Sequence, residues 1–227
     1  MYFGEIEPMF VRYWMTEAPL STTVDTKLYA AMQLMETRKI RRLPVVNGQQ
    51  LVGIVAVSDL YRFIKPGTEH RVALPSDTER ELNMLTVGDV MTKSPRVCAP
   101  STLLEDVGET MRKHKIGALP VVNGDRLVGI ITESDYLRAM AALSHLGEGV
   151  RLCFRIAADR KMEIFHAVAL RCHRLNLEIL TLMTHPIDNG AHHIVLMRVR
   201  GDKINDFVRE LWKDHHEVLL AEGTGVN

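Results

Sequence analysis

Apolar positions recur at helical spacing twice in the first 143 residues, at Leu28, Ala31, Met32 and Met35 and again at Leu104, Val107 and Met111, which predicts an amphipathic helix in each stretch. Thr102 and Glu105 have the spacing of a capping box at the start of the second helix. After the first helix come two short apolar runs, Leu43–Val46 and Leu51–Val55, separated by Asn47-Gly48-Gln49-Gln50. Asn-Gly between such runs predicts a β-hairpin, because both residues tolerate positive φ. A further helix is expected over Ser58–Ile64, and a short strand near Ser21–Val24.

The pattern changes at Val150. Leu152–Ile156 alternates as a strand does, and Phe165, Val168, Ala169 and Cys172 mark a helix face. Leu177–Met183 and Ile194–Val199 read as strands joined by a turn over Pro186–Gly190. Ile204, Phe207, Val208 and Leu211 mark a second helix, and Val218–Ala221 a last strand. The order βαββαβ is that of a ferredoxin-like domain.

The first two thirds are a duplication. A shift of 76 residues lays Val11–Ile64 on Val87–Met140 without a gap, with 22 of 54 positions identical. Met15-Thr16 falls on Met91-Thr92, Leu43–Gly48 on Leu119–Gly124, Leu51–Ile54 on Leu127–Ile130, and Ser58-Asp59 on Ser134-Asp135. Each copy buries one sheet face, so the two are expected to pack sheet to sheet and leave clefts between them. The fold class is α/β (α+β).

Composition removes several function classes. Apolar residues make up 46% of the chain, charged residues 25%, and 28 basic side chains balance 28 acidic ones. Such a balance calls for neither a nucleic-acid nor a membrane partner, and no signal peptide or membrane-spanning run is read. Cys98, Cys153 and Cys172 lack a C-x-x-C spacing and read as reduced thiols of a cytoplasmic protein. Eight of the ten histidines lie at or after His145 without metal-ligand spacing, so no metal site is expected. No phosphate-binding loop or nucleophile motif occurs, and the chain is read as no enzyme.

The twice-repeated pattern M-T…L-P-V-V-N-G…L-V-G-I…S-D resembles the cystathionine-β-synthase-type (CBS) domain, and the two copies resemble the pair known as a Bateman module. The expected organisation is a CBS repeat over 8–66, a linker helix over 67–86, a second repeat over 87–144 and a domain over 150–223. The last part resembles an ACT domain, so the whole is similar to the acetoin-utilisation accessory protein B family. Asp159-Arg160-Lys161-Met162 stands where amino-acid-binding ACT domains carry D-x-x-G, which points to a dimerisation or structural role, with amino-acid sensing as the alternative.

The resemblance implies an adenosine-containing ligand in the cleft between repeats, with no cofactor required. Thr132-Glu133-Ser134-Asp135 matches the family's Thr-x-x-Asp, in which the hydroxyl meets phosphate and the carboxylate meets the ribose diol. The other wall would come from Thr16, Leu20, Ser21 and Ile40-Arg41-Arg42. A weaker second site is implied at Asp59, Thr92, Val97, Ile116, Gly117 and Ala118, where Ala56 replaces the threonine. AMP, ADP or ATP is the favoured regulatory ligand, and S-adenosylmethionine an alternative. A homodimer through the CBS pairs is expected, with the helices of Met35 and Met111 as candidates, together with an unknown regulated protein. The competing readings are a ligand-free interaction module and a pair of acidic residues that merely cap helices.

Overall fold

The computed structural model describes residues 9–62, 76–213 and 217–222. The chain divides into two compact units, Met1–Ala139 and Met140–Asn227.

In the first unit, strand β1 (Thr16–Glu17) precedes helix α1 (Leu28–Thr37), the hairpin β2 (Arg42–Asn47) and β3 (Gln50–Ala56), and helix α2 (Val57–Tyr61). Helices α3 (Ser76–Met84) and α4 (Val87–Val90) follow, and of the linker helix expected over 67–86 residues 67–75 lie outside the described residues. The second copy runs β4 (Thr92–Lys93), α5 (Leu104–His114), β5 (Ala118–Asn123), β6 (Arg126–Thr132) and α6 (Glu133–Leu143).

The short first strand of each copy pairs with the hairpin of the other: Thr16 opposes Ile130, and Thr92 opposes Ile54. The methionine beside each threonine explains a conserved pairing within the chain. A Cβ on Gly129 would stand 2.5 Å from the Met15 sulfur, and one on Gly53 would stand 2.5 Å from that of Met91. Glycine at these places lets the thioether lie on the strand backbone. The two halves are linked through the single pair Gln50–Arg126, so their strands form one connected set of six.

Three local expectations are corrected. Asn47 stays in β2, and only Gly48 has positive φ (+62°), so the hairpin loop is Gly48-Gln49 and Gly124-Asp125 in the second copy. That is the glycine-first two-residue loop. Thr102 does not cap α5: its Oγ accepts the Ala99 N–H at 3.0 Å, and Leu103 stands at the cap. The strand expected at Ser21–Val24 is reduced to a bridge between Thr22 and Val45.

In the second unit, β7 (Val150–Ala157), α7 (Lys161–Arg174), β8 (Glu178–Ile187), β9 (His192–Arg200), α8 (Ile204–Lys213) and β10 (Glu217–Glu222) form an antiparallel sheet of order β10-β7-β9-β8. Alternate residues of β7 (Val150, Leu152, Phe154, Ile156) and of β9 (Val195, Met197, Val199) meet α7 and α8 in one core. Phe154 and Phe207 are fully buried, each favouring the fold by roughly 1.5–3 kcal/mol over exposure. On α7 the buried stripe is Ile164, Val168 and Cys172, and Ala169 is exposed. Ile164 lies one turn before Val168, which closes the 3.6-residue period that Ala169 breaks. No helix among the described residues is long and apolar enough to cross a membrane.

Candidate functional site

A cavity of about 590 Å³ opens in the first unit, lined by Thr16, Pro19, Leu20, Lys39, Ile40, Arg41, Arg42 and Pro44 from the first copy and by Ile130, Thr132, Glu133, Ser134 and Asp135 from the second. Its walls follow from the crossed strand pairing. Thr16 lies beside Ile130 because β1 pairs with β6. Leu20 and Pro44 share a wall because Thr22 N–H donates to Pro44 O (2.9 Å) and Val46 N–H donates to Thr22 O (2.8 Å). Lys39 ends its helix in the left-handed region (φ +53°), as Lys115 does in the second copy.

Of the residues expected here, Thr16, Leu20, Ile40, Arg41, Arg42, Thr132, Ser134 and Asp135 line this one cavity; Ser21 is exposed and outside it. Pro19, Lys39, Pro44, Ile130 and Glu133 were not foreseen. The lysine had a signal, its identity with Lys115 under the repeat shift, and Glu133 sits inside the quoted motif.

Asp135 is not a free carboxylate. Its Oδ2 accepts from Thr132 N–H (3.0 Å) and Thr132 Oγ–H (2.7 Å), and its Oδ1 accepts from Arg138 Nη2 (3.0 Å). The Asp135 N–H returns a bond to Thr132 Oγ at 3.3 Å, completing a cap on α6. An ionised carboxylate offers about four acceptor positions, so a ligand hydroxyl can still approach Oδ1. Asp59 is the simpler counterpart and accepts from Ala56 N–H at 2.9 Å.

Within the weaker set, Gly117 lies against Arg42 and Glu133, which line the first cavity. Its carbonyl accepts Glu133 N–H at 3.1 Å, and a Cβ there would overlap the Arg42 guanidinium and stand 2.8 Å from Glu133 Oε2. Residues 116–118 contain no basic side chain of their own, and the Arg42 head lies against them at Gly117. Ala118 is buried and pairs with Thr132, Thr92 opposes Ile54, Val97 is exposed, and Ile116 is half-buried. Among the described residues no group of three His, Cys, Asp or Glu is placed to hold a metal ion.

Residues 11–66 and 87–142 match the CBS domain. Among solved structures, a candidate acetoin utilization protein (AcuB) from Vibrio cholerae is 33% identical with a TM-score of 0.50, the match covering 60% of this chain and 93% of that one. The chloroplastic CBS domain-containing protein CBSX2 of Arabidopsis thaliana is 35% identical over 136 residues, 52% of this chain and 56% of its own length. CBSX2 has a structure in complex with AMP, 32% identical with a TM-score of 0.49, covering 59% of this chain and 97% of that one. Inosine-5'-monophosphate dehydrogenase of Staphylococcus epidermidis is 33% identical over 121 residues, which make up only 21% of that enzyme. The chain thus spans about half the length of the first of these curated relatives and a fifth of the second.

Proposed function

This chain belongs to the CBS-domain family, and we propose that its paired repeats are a regulatory sensor that binds an adenosine nucleotide in the Thr132–Asp135 cavity. One observation carries the reading: a single cavity gathers a hydroxyl (Thr132), a carboxylate (Asp135) and three cations (Lys39, Arg41, Arg42) beside the apolar Leu20, Ile40 and Ile130. Apolar side chains suit the adenine faces, the carboxylate suits a ribose diol, and the guanidinium fork suits phosphate. The cations favour AMP, ADP or ATP over S-adenosylmethionine, whose sulfonium they would repel. Ligand binding regulates only by preferring one arrangement of the repeats, and α6, which runs from the cavity to Leu143, is the route we propose toward the C-terminal unit or a protein partner.

The βαββαβ order of that unit supports a ferredoxin-like, ACT-like reading. Met162, 75% exposed, stands where an amino-acid site would need glycine, which favours a structural or dimerising role. A ligand-free interaction module is the second reading, and Asp89 supports it. It caps α4 through Thr86 N–H (2.8 Å) and Thr86 Oγ–H (2.8 Å), as Asp135 caps α6.

Calorimetry on the full chain with AMP, ADP, ATP, S-adenosylmethionine and adenosine separates the two. The expected result is one nucleotide per chain, with Arg41→Ala weakening AMP and sparing adenosine. Binding of none of these ligands establishes the interaction module instead, and two equivalent sites overturn the inequality of the clefts.

A further inference from the structure

We infer that Arg138 is a positioning residue for the nucleotide cavity, one guanidinium that fixes both of its walls. Resting on the nucleotide reading above, the inference gives a role to a side chain that does not itself line the cavity. Arg138 follows Asp135 by three residues and so shares its face of α6. Its Nη2 lies 3.0 Å from Asp135 Oδ1 and 3.1 Å from the carbonyl oxygen of Trp14. The first contact sets the rotation of the carboxylate whose other oxygen is already held by Thr132. The second holds the backbone entering Met15 and Thr16, and Thr16 is on the opposite wall. Near Thr16 that wall is otherwise attached by a two-residue strand, by Ala18 N–H donating to Val128 O (3.2 Å) and by the Met15 sulfur lying over Gly129, while the Thr22 bonds to Pro44 and Val46 hold its far end.

The first repeat supplies the contrast. Arg62 stands in the same register after Asp59, since both arginines fall together under the 76-residue shift. Among the described residues, Asp59 accepts only the Ala56 N–H and Arg62 makes no matching bridge. Ser-Asp followed three residues later by arginine thus accompanies a braced carboxylate at Asp135 and, among the described residues, no such brace at Asp59, where Ala56 also replaces Thr132. The guanidinium is needed for its geometry: both bonds use the two N–H groups of Nη2, which the planar group aims in fixed directions, whereas an ammonium is a point charge on a flexible stem. Arg138 is 62% exposed and Asp135 13% exposed, so the brace is closed from the solvent side without burying an unpaired charge.

The test is AMP calorimetry on full-length wild type, Arg138→Ala, Arg138→Lys and Arg62→Ala, with hydrogen exchange of residues 14–17 measured without ligand. Arg138→Ala is expected to weaken AMP about tenfold or more, the scale of losing a charge-assisted bond, and to speed exchange over 14–17 while the β2–β3 hairpin stays protected. Arg138→Lys should recover part of the affinity, and Arg62→Ala should match wild type. If wild type binds AMP and Arg138→Ala binds it equally well, the brace is wrong and the nucleotide reading stands. Unchanged exchange over 14–17 also overturns the brace, whatever the ligand does. If wild type binds no nucleotide, both readings fall together.

Discussion

Burial alone separates the three cysteines in chemistry. Cys98 and Cys172 are both buried, and burial pushes their thiols up to about 12 and about 11. In the unfolded chain the same thiols ionise near 9.0. Above that pH the unfolded state has lost protons that the folded state keeps, so stability falls as pH rises. The contribution is complete below pH 9 and is withdrawn on the way to the folded values. Melting temperature should therefore drop more steeply from about pH 8 to about pH 10.5 in wild type than in Cys98→Ala or Cys172→Ala, each referred to its own value at pH 8. Parallel curves would remove burial as the cause. Thiol labelling near neutral pH should reach the half-buried Cys153 first.

Within elements, the two copies solve one packing problem with exchanged volumes. Gly108 lies inside α5, where glycine ordinarily costs up to about 1 kcal/mol against alanine. A Cβ there would stand 2.6 Å from the ring of Tyr136 on α6. The first copy has Met32 and Leu60 at these positions, large where the second is small and smaller where the second is large. Gly108→Ala should then lower stability by roughly 1–3 kcal/mol, the range for overpacking, despite the gain in helix propensity. Adding Tyr136→Leu should restore part of the loss, read as melting temperature by circular dichroism. A stabilised single variant would show that the ring moves aside freely.

For the whole molecule, the same repeat shift that aligns the cores aligns two exposed apolar residues. Tyr61 on α2 is 41% exposed and Leu137 on α6 is 66% exposed, and the positions are equivalent in the two copies. Met35 and Met111, which pointed to the expected dimer helices, are themselves buried at 1% and 5% exposure. The better candidates for a shared surface are therefore Tyr61 and Leu137. An isologous contact buries the same patch from each subunit, and light scattering at micromolar concentration should report twice the chain mass of 25.7 kDa. Tyr61→Asp with Leu137→Asp should return it to one chain. A single-chain mass for wild type would remove the dimer.

The duplicated order of helix, hairpin and helix was legible in sequence because periodicity and turn chemistry act between residues close along the chain. The paired buried faces of β7 and β9 were legible for the same reason, and their strand ends extended one or two residues beyond the apolar runs. Eight of the residues read from the motif line one cavity, since the repeat shift places equivalent backbone in equivalent positions. What depended on contacts distant in sequence could not be read there. The crossing of each two-residue strand to the other repeat, the Arg42 head over Gly117 and the Arg138 bridge from Asp135 to Trp14 span 38 to 124 residues. Asp59 and Asp135 share Ser-Asp followed three residues later by arginine; the Ala56-for-Thr132 difference was legible in sequence, and the Arg138 contact with Trp14 was not. Local sequence decides which backbone conformations are favoured; only the folded chain decides which side chains reach one another.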